Sequence, residues 1–304
     1  MQLLKDSVLN TYQIDKHYKH IQALRQVSFD VPKGSIFGIL GPNGSGKTTL
    51  LGVIMDVLKP SSGTYQWFGE TPNAAQRKRI GTLLETPNFY HYLSAVDNLK
   101  ISAAIKGISD SRHIHTVLEK VNLGERKYTK FSTFSLGMKQ RLAIAACLLG
   151  NPDIIVFDEP TNGLDPVGIV DVRTIIKQLA SEGKTIIMSS HLLDEVEKVC
   201  THVAILQRGK LLSCGSVQQI LTGEDIVEVS CCNIDKLKSV IATISGCVRM
   251  EQNDNTLLLY FASNTASLEH INKTCFENNI ILTHLTLKKH SLESKFFELT
   301  SIKN

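Results

Sequence analysis

Eight consecutive residues, Gly41-Pro42-Asn43-Gly44-Ser45-Gly46-Lys47-Thr48, carry the spacing Gly-x-x-x-x-Gly-Lys-Ser/Thr. Glycines at those positions let backbone N–H groups turn inward around a phosphate chain. Lys47 supplies a cation for the β- and γ-phosphates, and Thr48 a hydroxyl for Mg²⁺. Thr49 continues into what reads as a helix, whose positive end faces the same anion. The bland alternative is a glycine-rich turn with an exposed lysine. A second constellation is Asp158-Glu159, at the end of the apolar run Ile154-Ile155-Val156-Phe157. There Asp158 suits a place in the Mg²⁺ shell, and Glu159 suits orienting or deprotonating the water that attacks a γ-phosphate. Two acids after a strand are ordinarily a solvated turn; a phosphate loop earlier in the same alternating pattern reverses that reading.

Such residues work only if strands deliver them to one edge. The run Ile36-Phe37-Gly38-Ile39-Leu40 predicts a buried strand directly before the loop, and Leu50, Leu51, Ile54, Val57 and Leu58 predict a helix directly after it. Val27, Phe29 and Val31 alternate, predicting a half-buried strand over 26–31. Strand patterns return at 79–84, 153–157, 185–188 and 202–206, separated by helix-like sequence, which predicts a parallel, doubly wound sheet. Residues near 94–149 are mainly helical in pattern and read as an inserted lobe, bounded at about 86–149. After Gly223 the texture changes: strand-like 226–231 and 256–261 flank a helix-like 236–244, and another helix and strand follow. The expectation is an α/β phosphate-loop NTPase core over 1–223 and a small α+β domain over 224–304, with no chemical motif in the latter.

The segment Phe134-Ser135-Leu136-Gly137-Met138-Lys139-Gln140-Arg141 taken alone is a helix capped by Ser135. With the phosphate loop and the acidic pair it resembles the signature motif of ABC transporter ATPase subunits, usually Leu-Ser-Gly-Gly-Gln. Ser135 and Gly137 match, and Leu136 and Met138 depart. The resemblance spans residues near 8 to 220 and implies an ABC-type ATPase that binds ATP with Mg²⁺. It also implies that Ser135 and Gly137 close over the γ-phosphate held by the loop of a second ATPase subunit, in a homodimeric pairing. Tyr18 falls where an aromatic stacks on adenine, Asn162-Gly163-Leu164-Asp165 resembles the loop joining the acidic pair to the dimer interface, and His191 resembles the switch histidine at the γ-phosphate. Where the family commonly has Gln, this chain has Glu85, an implied metal ligand or a hinge that senses the transport partner, with a solvated strand-end acid as the alternative. The Glu85 substitution, the wording of the signature segment and the ending Ser291–Thr300 resemble exporters of the bacitracin and lantibiotic immunity type. That implies a separately encoded membrane permease as partner and a place on the inner face of the cell membrane, peripheral and cytoplasmic.

Composition sets the limits on other classes. With 33 Lys plus Arg against 29 Asp plus Glu, the net charge of +4 excludes a strongly basic nucleic-acid tail and an acidic disordered chain. No run approaches the roughly 20 apolar residues that a bilayer helix needs. The first ten residues lack the pattern of a secretory signal. Seven scattered cysteines without a C-x-x-C pair suggest a reducing compartment, with Cys147 a core residue. His113 and His115 lack further ligands at metal spacing and read as surface residues. The competing function is a soluble ABC-type ATPase acting on a ribosome or DNA. Such proteins usually carry a coiled-coil insertion or two cassettes, and neither is visible here.

Overall fold

The computed structural model describes residues 6–84, 88–263, 265–288 and 291–301. The chain divides into two units, Met1–Val217 and Gln218–Asn304; the change of texture in the sequence comes slightly later, after Gly223.

The first unit opens with an antiparallel sheet of β1 (Ser7–Tyr18), β2 (Ile21–Val27) and β3 (Asp30–Pro32). After β4 (Ile36–Leu40) and α1 (Lys47–Ile54), β5 (Ser62–Trp67) joins the same sheet against β1. The single strand expected over 26–31 is therefore two. β2 pairs with the second half of β1 and β3 with its start. The break is fixed by Gln26, with φ 48°, and by the Thr11 hydroxyl, which accepts from Phe29 N at 2.8 Å and donates to Phe29 O at 3.0 Å. Val27, Phe29 and Val31 are still all buried, so the alternation reported the core face correctly and the continuity of the strand wrongly.

The second sheet positions the chemistry. After α2 (Ala74–Arg77) come β6 (Ile80–Leu83), α3 (Ala95–Ile105), α4 (Ser111–Lys120), α5 (Leu136–Leu148), β7 (Ile154–Phe157), α6 (Pro166–Ser181), β8 (Thr185–Ser190), α7 (Leu193–Val199), β9 (His202–Gln207) and β10 (Lys210–Ser216). The strand order is β10-β9-β4-β8-β7-β6. β6, β7, β8, β4 and β9 run parallel and β10 pairs antiparallel with β9. β4, β7 and β8 are buried throughout, as expected of parallel strands covered on both faces, which is why they read as unbroken apolar runs. Because β4, β7 and β8 are parallel neighbours, the residues that follow Leu40, Phe157 and Ser190 emerge at one edge of the sheet.

The α-helices α3, α4 and α5 of the 95–148 stretch each start on a polar cap. Ser94 accepts from Asp97 N, Asp110 from Arg112 N and Ser135 from Met138 N, satisfying N–H groups that the first turn leaves open. Leu99, Val117, Leu118 and Leu142 are buried between these helices.

The second unit begins with α8 (Val217–Leu221, the chain crossing from the first) and continues β11 (Asp225–Cys231), α9 (Ile234–Ile241), β12 (Cys247–Asn253), β13 (Thr256–Phe261), α10 (Leu268–Glu277), β14 (Leu282–Lys288) and α11 (Leu292–Ser301). Strand order β12-β13-β11-β14, antiparallel throughout, with the sequence βαββαβ, is a ferredoxin-like arrangement. Val227, Val229, Leu257, Leu259 and Phe261 form its core with Leu237, Ile241 and Ile271 of the helices. β12 gave no strand signal in the sequence because it is an edge: among its residues only Cys247 and Met250 are even half-buried.

Candidate active site

The loop after β4 depends on glycine at its hinges. Gly41 has φ 154°, and a Cβ there would sit 2.2 Å from Leu206 O and 2.5 Å from Ser45 Oγ. Gly46 has φ 106°, and its Cβ would lie 2.7 Å from Ala23 O. Gly46 is also the N-cap of α1 and supplies no side-chain hydrogen bond, and no acidic residue stands in the first turn. The helix therefore presents its open N–H groups and positive end to whatever fills the loop. Lys47 is buried, 6% exposed, with its ammonium donating to Gly41 O at 2.9 Å and Pro42 O at 3.3 Å. Ser45 Oγ is buried without a hydrogen-bond partner.

The acids arrive from β7. Phe157 pairs with Met188 of β8, so Asp158 and Glu159 lie beside Ser189, Ser190 and His191. The Ser189 hydroxyl accepts from Glu159 N at 2.8 Å and makes a short hydrogen bond to Asp158 Oδ1. Ser189 thus fixes both acids at once, and sequence reasoning missed it; its only signal was its position directly before Ser190-His191 at the strand end. Glu159 has φ 49°, an uncommon conformation for a residue with a side chain. Its Oε1 is 3.2 Å from Lys47 Nζ and its Oε2 2.9 Å from His191 Nδ1.

Lys47, Thr48, Thr49, Asn43, Gly44, Gly46 and Glu159 share one cavity of about 530 Å³ with residues of β2. Tyr18 is 43% exposed at the end of β1, paired with Ile21 and lying 5.1 Å beneath the Lys16 ammonium; the cavity lining includes Ile21 and not Tyr18. Thr48 and Asp158 offer hard oxygen donors of the kind that Mg²⁺ takes together with substrate phosphates, so the residues present fit that ion. Glu85 lies outside the described residues. His113 accepts a hydrogen bond from Gly150 N at 3.1 Å, and among the described residues no group of three or more His, Cys, Asp or Glu is arranged to hold a metal ion.

Ser135 and Gly137 stand elsewhere. Ser135 caps α5 and accepts from Met138 N at 3.3 Å. A Cβ on Gly137 would meet Gly168 Cα of α6 at 3.8 Å, and one on Gly163 would meet Leu136 Cδ2 at 3.5 Å. The signature segment therefore leans on the 162–165 loop, whose Asp165 caps α6 by accepting from Gly168 N at 2.9 Å. Neither Ser135 nor Gly137 lines the phosphate cavity of its own chain. Leu136 is 48% exposed. Among the described residues no helix is long and apolar enough to cross a membrane.

Comparison with known proteins gives a consistent result. The ABC transporter family pattern matches residues 24–162. The ABC transporter ATP-binding protein YdbJ of Bacillus subtilis (strain 168) is 36% identical over 98% of this chain and 97% of its own length. The bacitracin transport ATP-binding protein BcrA of Bacillus licheniformis is 35% identical, over 96% of this chain and 97% of its own. The lantibiotic transport ATP-binding protein SrtF of Streptococcus pyogenes is 38% identical, over 67% of this chain and 89% of its own. Among solved structures, an ATP-binding subunit of an ABC transporter superposes with TM-score 0.62 at 27% identity, covering 70% of this chain and 92% of that one. The ATP-binding cassette MJ0796, dimeric in a post-hydrolysis state with ADP and Pi, superposes with TM-score 0.62 at 25% identity, covering 69% of this chain and 98% of that one.

Proposed function

This chain belongs to the family of ABC transporter ATP-binding subunits and is an ATPase; from that premise we propose how its residues divide the work. The observation that carries the reading is Glu159, held between Lys47 and His191 at 3.2 and 2.9 Å on the wall of the phosphate-loop cavity. Backbone N–H groups from Asn43 to Thr49 and the Lys47 ammonium hold the phosphates of ATP. Lys47 exchanges its contacts with the Gly41 and Pro42 carbonyls for phosphate oxygens. Thr48 and Asp158 would hold Mg²⁺, which would supply positive charge to the phosphates. Glu159 accepts a proton from the attacking water, and His191 fixes that carboxylate and reaches the γ-phosphate. Ser189 keeps both acids in register. Tyr18, paired with the cavity-lining Ile21, stacks on adenine.

Ser135 and Gly137 serve the partner's nucleotide. A second helix N-terminus brought to the same γ-phosphate adds donors where charge develops, and this chain's own cavity lacks it. The functional unit is then a dimer closed around two ATP. Hydrolysis opens it, and the motion passes to a separately encoded membrane permease that holds the dimer on the inner face of the membrane. The names of BcrA and SrtF support export of a peptide antibiotic, and no observation favours a soluble partner.

Mixing two dead variants tests this arrangement. Lys47→Ala removes the phosphate cation, and Ser135→Arg blocks the signature turn. Each alone should lack turnover, whereas an equimolar mixture should recover it, because one of the two composite sites in a mixed dimer takes its loop and its signature from intact copies. A mixture as inactive as its components would mean that loop and signature serve one site within one chain, and the dimeric reading would fall.

A further inference from the structure

Two arginines border the phosphate cavity without a role in the machinery above. Arg25 of β2 and Arg208 of the β9–β10 turn line the same cavity as Lys47, Thr48 and Thr49. Both are exposed, and neither makes an ion pair among the described residues. Their backbones are tied to the loop: Gly209 N donates to Ser45 O at 2.9 Å, and Arg25 N donates to Gly209 O at 2.8 Å. Turn, strand and phosphate loop are thus one frame, and two unpaired cations project from it along the wall of an anion site.

The turn that carries Arg208 has a defined geometry. Gln207 pairs with Lys210, which leaves Arg208-Gly209 as a two-residue hairpin loop. Its φ angles are 47° and 77°, both positive as in a type I′ turn, where Asn-Gly is the favoured pair. Arginine at the first position is uncommon, although ten other non-glycine residues among those described also have positive φ.

We propose that Arg25 and Arg208 bind the part of the nucleotide that ATP and ADP share, its α- and β-phosphates on the ribose side, and so set affinity for the nucleotide without distinguishing the γ-phosphate. The inference rests on the nucleotide reading above. The Glu159–His191 pair marks the end of the cavity where the γ-phosphate reacts. Ala23 O and Gly209 Cα, from the same strand and turn as the arginines, lie against Gly46 at the start of α1. A guanidinium there offers a planar fork of donors to phosphate oxygens, which a lysine does not.

The test titrates the full-length chain with ADP and with a non-hydrolysable ATP analogue, both with Mg²⁺, by calorimetry. Arg208→Asn removes the cation while installing the residue the turn prefers, so a melting temperature equal to or above that of the parent certifies its fold. Arg208→Asn and Arg25→Gln should each weaken both ligands by the same factor, about tenfold for one charge-assisted hydrogen bond lost at an exposed position. Arg208→Lys should lose less. Unchanged affinity for both ligands, or a loss confined to the ATP analogue, overturns the assignment. Lys47→Ala separates the two levels. If it abolishes binding while the arginine variants bind like the parent, only this inference fails; if it binds nucleotide normally, the loop reading fails with it.

Discussion

Changing Glu159 to Gln alters one proton acceptor and one charge while keeping the shape of the side chain, so its consequences can be worked out separately for folding, binding and turnover. In the folded chain Lys47 loses a carboxylate at 3.2 Å but keeps the Gly41 and Pro42 carbonyls. Its ammonium is therefore not stranded, and the stability cost stays within about 1–2 kcal/mol. Binding should hold or improve, because a negative charge is removed from beside the anion site and Lys47 is released from a competitor. Turnover responds otherwise. A positioned general base contributes roughly 10²–10⁴-fold, which is about 2.7–5.5 kcal/mol of barrier at 1.36 kcal/mol per decade. The expected result is a fall of at least about a hundredfold in the rate at saturating ATP, with affinity equal to or above that of the parent. Size-exclusion chromatography with ATP should then show an accumulated dimer. Turnover at the parental rate, or a loss of affinity in parallel with the loss of rate, would refute the role of Glu159 as base.

Two further outcomes follow from packing and burial. Gly46→Ala places a Cβ 2.7 Å from Ala23 O at φ 106°, so denaturant unfolding should show a loss on the order of 1–3 kcal/mol together with weakened nucleotide binding. Parental stability and binding would show that the loop does not need the left-handed backbone. The second concerns alkaline pH. Burial pushes the Cys147 thiol up to about 12 from 9.0, its S–H donating to Thr82 O at 3.1 Å. Burial raises Cys200 in the same direction. A raised folded-state pKa means that the native state holds more protons than the unfolded state above pH 9. The stabilisation is complete below pH 9 and is lost as pH rises towards 12, at up to about 1.4 kcal/mol per pH unit for each thiol. Lys106, whose pKa burial lowers, acts in the opposite sense. Urea midpoints should therefore fall between pH 9 and 11, less steeply in Cys147→Ala; a slope identical in the variant would exclude this thiol as a source.

How much of this was readable from the chain depends on whether a feature is local. The phosphate loop is legible because its motif is contiguous, even though Gly41 and Gly46 are enforced by distant backbone atoms, Leu206 O and Ala23 O; β4, β7 and β8 are buried throughout, so their unbroken apolar sequences say so directly. The gathering of Lys47, Thr48 and Glu159 around one cavity follows from strand order, which the alternation of elements anticipates. Features set by distant partners were hidden. The division of 26–31 into β2 and β3 depends on Thr11 reaching Phe29 and on the length of β1. β12 pairs along an edge with few buried side chains and thus has no period to read. Arg208 gives no signal until β9 and β10 pair and leave it in a left-handed turn, and Ser189 gives none until β7 and β8 lie side by side.

The same dependence on distant contacts bears on how two sites in a dimer would communicate. Asn162 N donates to Glu159 O at 3.1 Å, so the 162–165 loop begins on the backbone of the proposed base. That loop also touches the signature segment, at Gly163 against Leu136, and starts α6 through Asp165. In the proposed dimer Leu136 and its neighbours serve the partner's nucleotide. A displacement at Glu159 when its own nucleotide is cleaved then has a path of only a few packed residues to the turn that caps the other one. Coupling of this kind needs an element with two arrangements rather than contact alone; the glycines at this junction let α5, α6 and the loop pack closely, a Cβ on Gly168 falling 2.8 Å from Asp165 Oδ1 and one on Gly137 3.8 Å from Gly168 Cα. In the proposed dimer, movement of this junction on hydrolysis in one half would loosen the cap on the other, so that the clamp opens as a unit rather than one site at a time.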